Sequence, residues 1–490
     1  MNYGVAMTES VNKALFKHLI RKDGQEDLCF AFYKLASGKK RTVGIINKII
    51  LPETGDRNVQ GNVSFNSEYL DKVTAYALTN SYGICFIHSH PFPGWQGMSY
   101  DDIEAETMLA PRVKAVTGLP LIGLTLGTDN TWSARFWIKA APKKFESFWC
   151  ESVRVVGKQL KLSYCEKLLP SQTFGEEFKR TVSSWGEAKQ NDISRLKVGI
   201  IGLGSVGSLL AEALMRTGIK NLTFIDFDTI ERKNLDRLLS ASVQDIGKFK
   251  VDFQRDRLLS TGVISDLQIL ALRNSISEIE GYEAAIDCDI LFSCVDRPLP
   301  RFILDCISYA NLIPTIDGGV DTNPKPDMSN IDQARWKAHT TGPERICMKC
   351  LHQYKPEDVA LQQSGLLEEP SYIKGLPKDH FIHRGENVFG FSLSLAGMEI
   401  QQFLSLILKP RGFYYGPKEM DFITGTIDSA FENECSGNCD IKQLLGKADE
   451  IKFQMISNDI AAEKIREKYS FSEVKLLNKK NLLKKVKDFD

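Results

Sequence analysis

Residues 197–237 read KVGIIGLGSVGSLLAEALMRTGIKNLTFIDFDTIERKNLDR, and this stretch decides the fold. Residues 198–201, with Gly199 among them, read as a strand buried in a parallel sheet. Gly202, Gly204 and Gly207 follow in G-x-G-x-x-G spacing. Such glycines turn the chain tightly and let a phosphate approach the main chain. Residues 208–217 have helical apolar spacing, which would aim a helix N-terminus at that phosphate. A second apolar strand, 221–225, ends in Asp226, where an acid would meet a ribose hydroxyl. Taken alone, this also describes an ordinary dinucleotide-binding domain.

What comes next narrows the choice. Asp228, Asn234 and Arg237 lie just past Asp226, Lys250 stands in IGKFKVD, and a third buried strand, DILFSCVD, ends at Asp296. The set resembles the adenylating domain of the ubiquitin-activating enzyme superfamily, the ThiF/MoeB-like group, over roughly residues 174–439. The resemblance implies a Rossmann-like α/β domain with a mainly parallel sheet. It implies ATP and magnesium as cofactors, and transfer of AMP to a protein's C-terminal carboxylate. Carried over, Gly202, Gly204 and Gly207 make the phosphate turn and Asp226 takes the ribose. Asn234, Arg237 and Lys250 meet phosphate oxygens, Asp296 holds magnesium, and Arg301 adds a phosphate or partner contact. Asp228 lies close by with a less defined role, and residues 315–319 would line a groove for the incoming C-terminus. Arg180 falls where relatives reach across a dimer interface to the partner's ATP, so a homodimer is expected.

The 490 residues allow two to four domains. Lys plus Arg and Asp plus Glu balance at 62 each, so no global field points to nucleic acid or to a membrane surface. No apolar run of transmembrane length and no signal segment is read. Scattered cysteines outside two close pairs fit a reducing cytoplasm. The expected division is 1–148, a first α/β domain; 149–195, a linker with entry helices; 196–450, the adenylating domain; and 451–490, a Lys-rich tail forming a solvated helix. Residues 153–169 are left open between a helix and a final strand with a helix.

In the first domain, residues 28–35 and 41–51 read as strands, 67–78 as a helix and 83–87 as a short buried strand running into His88-Ser89-His90-Pro91. Residues 119–126 and 131–138 read as a closing hairpin. Histidines two apart at a strand end point the same way. With a carboxylate from the nearby helix start they give zinc three ligands and an open position. Ser99-Tyr100-Asp101-Asp102 supplies that helix start. The pattern resembles a JAMM (MPN/JAB) metalloprotease, a deubiquitinase class with a cytidine-deaminase-like α/β fold. The resemblance implies that His88, His90 and Asp102 hold zinc, that Ser99 bonds the oxyanion, and that Glu26 is the acid–base residue. Glu53 rivals Glu26, and Asp101 rivals Asp102.

Cys347-x-x-Cys350 and Cys435-x-x-x-Cys439 read as a closed four-thiolate zinc site. Residues 351–434 contain no cysteine, although many activating enzymes keep their thioester cysteine there. The expectation is adenylation without an enzyme thioester. As a whole the chain resembles a fusion that trims or cleaves a ubiquitin-like protein with a glycine-ended tail and adenylates its carboxylate. Such fusions accompany conjugating enzymes in bacterial, often antiviral, loci. Activation of a sulfur-carrier protein or small peptide, and a scaffold with one inactive module, stay open beside it.

Overall fold

The computed structural model describes residues 1–60, 62–377, 380–383, 386–429 and 434–469. The chain begins with strand β1 (Asn2–Thr8) and helix α1 (Glu9–Leu19), which Thr8 caps by accepting from the Val11 N–H. Strands β2 (Leu28–Ser37) and β3 (Arg41–Ile50), the hairpin β4 (Arg57–Gln60) and β5 (Asn62–Phe65), and α2 (Ser67–Asn80) follow. Then come β6 (Gly83–Ser89), α3 (Tyr100–Thr117), β7 (Leu121–Leu126), β8 (Trp132–Ala141), β9 (Lys144–Trp149), β10 (Ser152–Val156) and β11 (Leu160–Tyr164). All but β4 and β5 join one sheet in the order β11-β10-β1-β3-β2-β6-β7-β8-β9.

Both faces of this sheet are covered, and the alternation in β2 says why. Cys29, Ala31 and Tyr33 pack with Leu15 and Leu19 of α1, while Phe30 and Phe32 meet Tyr69 and Leu70 of α2. The sheet does not stop at residue 148, the expected boundary. β10 pairs in parallel with β1 and turns into β11, so residues 152–164 are strands of the first domain. Short runs of mixed polarity there carry no clear period, because β11 is an edge strand and the hairpin's place is set by β1, far away in sequence.

The second domain enters through α4 (Lys179–Trp185) and α5 (Glu187–Ser194). Its sheet comprises β12 (Lys197–Ile201), β13 (Asn221–Ile225), β14 (Gln268–Leu272), β15 (Ile290–Ser293), β16 (Thr315–Pro324), β17 (Ile331–Thr341), β18 (Lys418–Asp421) and β19 (Thr426–Ser429). The order is β14-β13-β12-β15-β16-β17-β18-β19, parallel through β16 and antiparallel afterwards. Helices α6 (Ser205–Arg216), α7 (Lys250–Ser260), α8 (Ile279–Ile286) and α9 (Pro298–Ala310) make the crossovers. Helices α10 (Pro356–Gln363) and α11 (Pro370–Gly375) precede α12 (Phe389–Leu408). By length and hydropathy α12 alone among the described helices would suit a bilayer. Its Leu395, Phe403, Leu406 and Ile407 are instead buried in the domain core.

The N-terminal strand ends of the second sheet pack on the first domain, whose contacts run from Arg41 at the start of β3 to Ser10 and Gly157 just beyond β1 and β10. Asp289, just before β15, accepts from Arg41 Nη1 at 2.7 Å, from Arg154 Nη1 at 3.0 Å and from the Lys197 N–H at 3.0 Å. All three side chains are buried. Burial pushes the Asp289 carboxyl up, but the charges of Arg41, Arg154 and Lys197 outweigh it and hold the group at about 2. Asp287 receives the N–H groups of Lys40 and Arg41. The segment expected to start a free tail at 451 is also docked: Lys452 is buried and donates to Glu283 at 2.7 Å and to the Ser37 carbonyl. Arg466 pairs with Glu278, and the Tyr469 ring lies tilted against Phe249. The rest of the Lys-rich stretch, from 470, lies outside the described residues.

Candidate functional site

β6 carries His88 to the C-terminal end of the first sheet, and the Asp102 side chain comes from the first turn of α3. His88 Nε2 stands 3.2 Å from His90 Nε2 and 3.0 Å from Asp102 Oδ1, and His90 Nε2 is 3.2 Å from Asp102 Oδ2. Two imidazole nitrogens and a carboxylate thus converge, all within 4.8 Å of one another. This nitrogen and oxygen donor set fits zinc. Burial pushes Asp102 up, yet its bonds to the two histidines hold it far below the usual carboxylate range. Spacing left Asp101 as a rival; the donor cluster contains Asp102.

Ser99 has a local duty. It is the N-cap of α3: the Asp102 N–H donates to Ser99 Oγ at 3.1 Å, and the Ser99 N–H donates to Asp102 Oδ2 at 2.7 Å. The S-x-x-D spacing is therefore a capping box that fixes the carboxylate rotamer, while the exposed hydroxyl keeps its own proton to donate.

Glu26 is half-buried, and its carboxyl is raised by burial, with His90 and His88 pulling it down and Asp102 and Asp101 pushing it up. Its field neighbours are the ligand set. Glu53 is instead 79% exposed on a turn, paired with Lys72 at 3.1 Å. Glu26 is held by its neighbour Asp27, which the sequence reading passed over. The Asp27 N–H donates to Ser89 Oγ and the Ser89 N–H donates to the Asp27 carbonyl, so the β2–β6 pairing runs on between the two histidines. The Asp27 carboxylate is 1% exposed and neutralised by Arg57, at 2.8 Å, and Arg21, at 3.3 Å. An acid pair at a strand start opposite His-x-His was the available signal; the arginines come from α1's end and β4. Behind the site, buried Arg135 pairs with Glu106 and donates to Thr125 Oγ1 at 2.6 Å, itself 3.4 Å from His88 Nε2.

The glycine turn closes β12. Gly202 has φ +91°, and a Cβ there would lie 2.5 Å from the Cys294 carbonyl oxygen. A Cβ on Gly207 would lie 2.0 Å from the Gly202 oxygen, so both positions require glycine. At Gly204 nothing lies within 4 Å, which leaves the main chain open to a ligand. The helix begins at Ser205, three residues before the expected start, with Gly204 as its N-cap and no side-chain cap. The amides of its first turn remain for an anion.

Asp226 is buried, and both oxygens already accept backbone N–H groups: Leu203 at 2.6 Å and Asp228 at 2.7 Å. It shapes the glycine turn as well as standing at the ribose position. Burial raises its carboxyl against the pull of Lys250. Lys250 Nζ bonds Asp228 Oδ2 at 2.6 Å; burial would lower its ammonium, but Asp226, Asp228 and Asp296 together raise it. Lys250, Asp226, Asp228 and Asp296 therefore share one field at the C-terminal ends of β12, β13 and β15. A short bridge from Thr229 to Phe249 staples residues 231–247 into a surface excursion that carries Asn234 and Arg237. There Asn234 Oδ1 accepts from the Glu231 N–H, and Arg237 donates to the Lys233 carbonyl and to Asp236.

Two arginines stand away from the glycine turn of their own chain. Arg301 does not face the phosphate turn: it donates to Asp317 Oδ1 at 3.2 Å, to the Gly318 carbonyl at 2.9 Å and to the Gln353 carbonyl at 3.3 Å. A buried carboxylate one strand away outcompetes the solvent-side position. Arg180 is exposed on α4. The adjoining Phe178 packs near Gly218, beyond the C-terminus of α6, so a helix of 12 residues separates it from the glycine turn, about 18 Å.

The four paired cysteines do converge. Cys347, Cys350, Cys435 and Cys439 present their sulfurs within 4.8 Å of one another, which fits a structural zinc. Asp305 on α9 orders this knuckle by accepting from the N–H groups of Met348 and Lys349 and from the Tyr354 hydroxyl.

Residues 178–414 match the ThiF family model and make a ThiF-like domain. Over 129 residues the chain is 29% identical to the molybdopterin-synthase adenylyltransferase of Escherichia coli (strain K12), covering 26% of this chain and 51% of that protein. Over 121 residues it is 31% identical to ubiquitin-like modifier-activating enzyme 5 of Caenorhabditis elegans, covering 22% and 28%. The chain thus spans about half or less of these relatives. A crystal structure of E. coli MccB with ATP aligns at 18% identity and TM-score 0.41, covering 55% of this chain and 74% of that one.

Proposed function

We propose that the protein adenylates the C-terminal carboxylate of a small tailed protein and, at its histidine site, hydrolyses a peptide or isopeptide bond in the same kind of tail. The adenylation half is supported by the ThiF-like match together with the Lys250 cluster at the glycine turn. In that step a carboxylate oxygen bonds to the α-phosphorus of ATP and the bond to pyrophosphate breaks. The open amides after Gly204 and the Lys250 ammonium would neutralise phosphate charge, and Asp296 would hold magnesium, which would supply further positive charge there.

The hydrolytic half is carried by the convergence of His88, His90 and Asp102 beside Glu26. These ligands would hold zinc, whose Lewis acidity polarises a water and the scissile carbonyl. Glu26 accepts the proton that water sheds and returns it to the leaving amine. The Ser99 hydroxyl donates to the oxygen that gains charge. No thioester is part of this reading. Cys29, Cys85, Cys150, Cys165, Cys288 and Cys306 are buried, and burial drives the Cys294 thiol well above its usual range.

A ubiquitin-like protein with a glycine-ended tail is the favoured partner. A conjugating enzyme, a cytoplasmic setting and a homodimer that brings Arg180 to a partner's nucleotide complete the proposal. Incubation with ATP, magnesium and neighbouring-gene β-grasp proteins should yield an AMP adduct by mass spectrometry. The purified protein should retain zinc at both donor clusters. His88→Ala should lose cleavage and keep adenylation. No adduct with any such partner would sink the adenylation half.

A further inference from the structure

We infer that the two sites serve a tailed protein in separate encounters, and that a freshly cut tail is released to solution rather than handed from one site to the other within one binding event. The inference rests on the proposed function and adds the order and path of its steps. Each site lies at the C-terminal ends of its own parallel strands, whereas the second sheet meets the first domain through its N-terminal ends, at Lys197, Asp289 and the turn after β17 that carries Arg345. Ser37, the last residue of β2, is in the seam, where its N–H donates to Asp449. The first residue of β2, Leu28, pairs with His88. That strand has 10 residues, so the histidine site stands about 30 Å from the Ser37 contact. On the other side, Lys197 at the start of β12 bonds Asp289 in the seam, and the strand's 5 residues carry the glycine turn about 17 Å further off.

The joint between them is not a hinge. Asp289 with Arg41 and Arg154 is buried, and Lys452 fastens both Ser37 and Glu283. A tail held at Glu26 therefore cannot swing to Lys250 while its folded body stays docked. In the balanced sequence, water adds across the C–N bond, the amine leaves with a proton and a free carboxylate diffuses away. That carboxylate, or one made by another molecule, later displaces pyrophosphate from ATP.

The test uses full-length chains and a ubiquitin-fold probe ending in Gly-Gly with a short C-terminal extension. An equimolar mixture of H88A and K250A chains is compared with wild type at equal concentrations of each intact site. Release predicts that the mixture turns extended probe into AMP adduct at the wild-type rate, within about twofold. A tethered hand-off supplies the tail at about millimolar effective concentration, so the mixture would lag by about tenfold or more at micromolar enzyme, which overturns the inference. In a second arm, excess unlabelled trimmed probe should suppress adduct formation from labelled extended probe in proportion to its concentration; resistance to that dilution also overturns it. Failure of the H88A chain to adenylate trimmed probe, or of the K250A chain to trim, sinks the functional reading itself.

Discussion

The histidine site and the glycine-turn site differ in how their charges are satisfied. At the first, two imidazole nitrogens 3.2 Å apart share one carboxylate, a donor set that suits a cation. At the second, opposite charges already rest on each other, with Lys250 on Asp228 and Asp226 on two backbone N–H groups. The first pocket gathers nitrogen and oxygen donors on one point. The second sets one ammonium, Lys250, among three carboxylates, Asp226, Asp228 and Asp296.

The sharpest way to break this contrast is at Glu26. Glu26→Gln should lower hydrolysis by about 10²–10⁴-fold while zinc content stays at the wild-type level. Glu53→Gln should change nothing, and equal loss in both would return the acid role to open choice. At the other site Lys250→Ala should cost about 10²–10³-fold in pyrophosphate exchange. Retention of exchange within a few-fold would mean that Lys250 serves only to neutralise the acids.

The seam is predicted to be harder to disturb than either pocket's rim. Asp289→Asn leaves Arg41 and Arg154 buried against a neutral group and should cost about 3–5 kcal/mol in denaturant unfolding. Asp289 is held below its ordinary value, so its contribution is complete above the unfolded carboxylate range. It is lost as pH falls from about 4 toward about 2, some 2 kcal/mol in all. An unfolding free energy flat across that window would show the pair to be energetically idle. The smallest effect is expected at Ser99→Ala, about 1 kcal/mol in thermal stability from the lost cap. A larger fall in hydrolysis than that loss explains would separate the hydroxyl's chemical part from its capping part.

Much of this was legible along the chain because it is local. Gly202, Gly204 and Gly207 sit on one turn, His88 and His90 on one strand end, and Ser99 and Asp102 on one helix start. Each spacing is set by backbone geometry. Arg301 was left between a phosphate and a partner contact because its position on a helix says nothing of Asp317, which it meets on the next strand. Asp27 was passed over because Arg21 and Arg57, which make its burial tolerable, come from separate elements. The β10–β11 hairpin stayed undecided because its place depends on β1, far away in sequence. Charge pairs and edge strands are decided by the assembled fold, and one-dimensional pattern holds little of that information.

The buried ionic junction at Asp289 gives both modules a common fate. Its partners come from β3, β10 and β12, so loosening any of them strains the other domain. A lesion far from either pocket would lower the abundance of both modules together, keeping their ratio fixed while the total falls. The two domains thereby stay at constant stoichiometry.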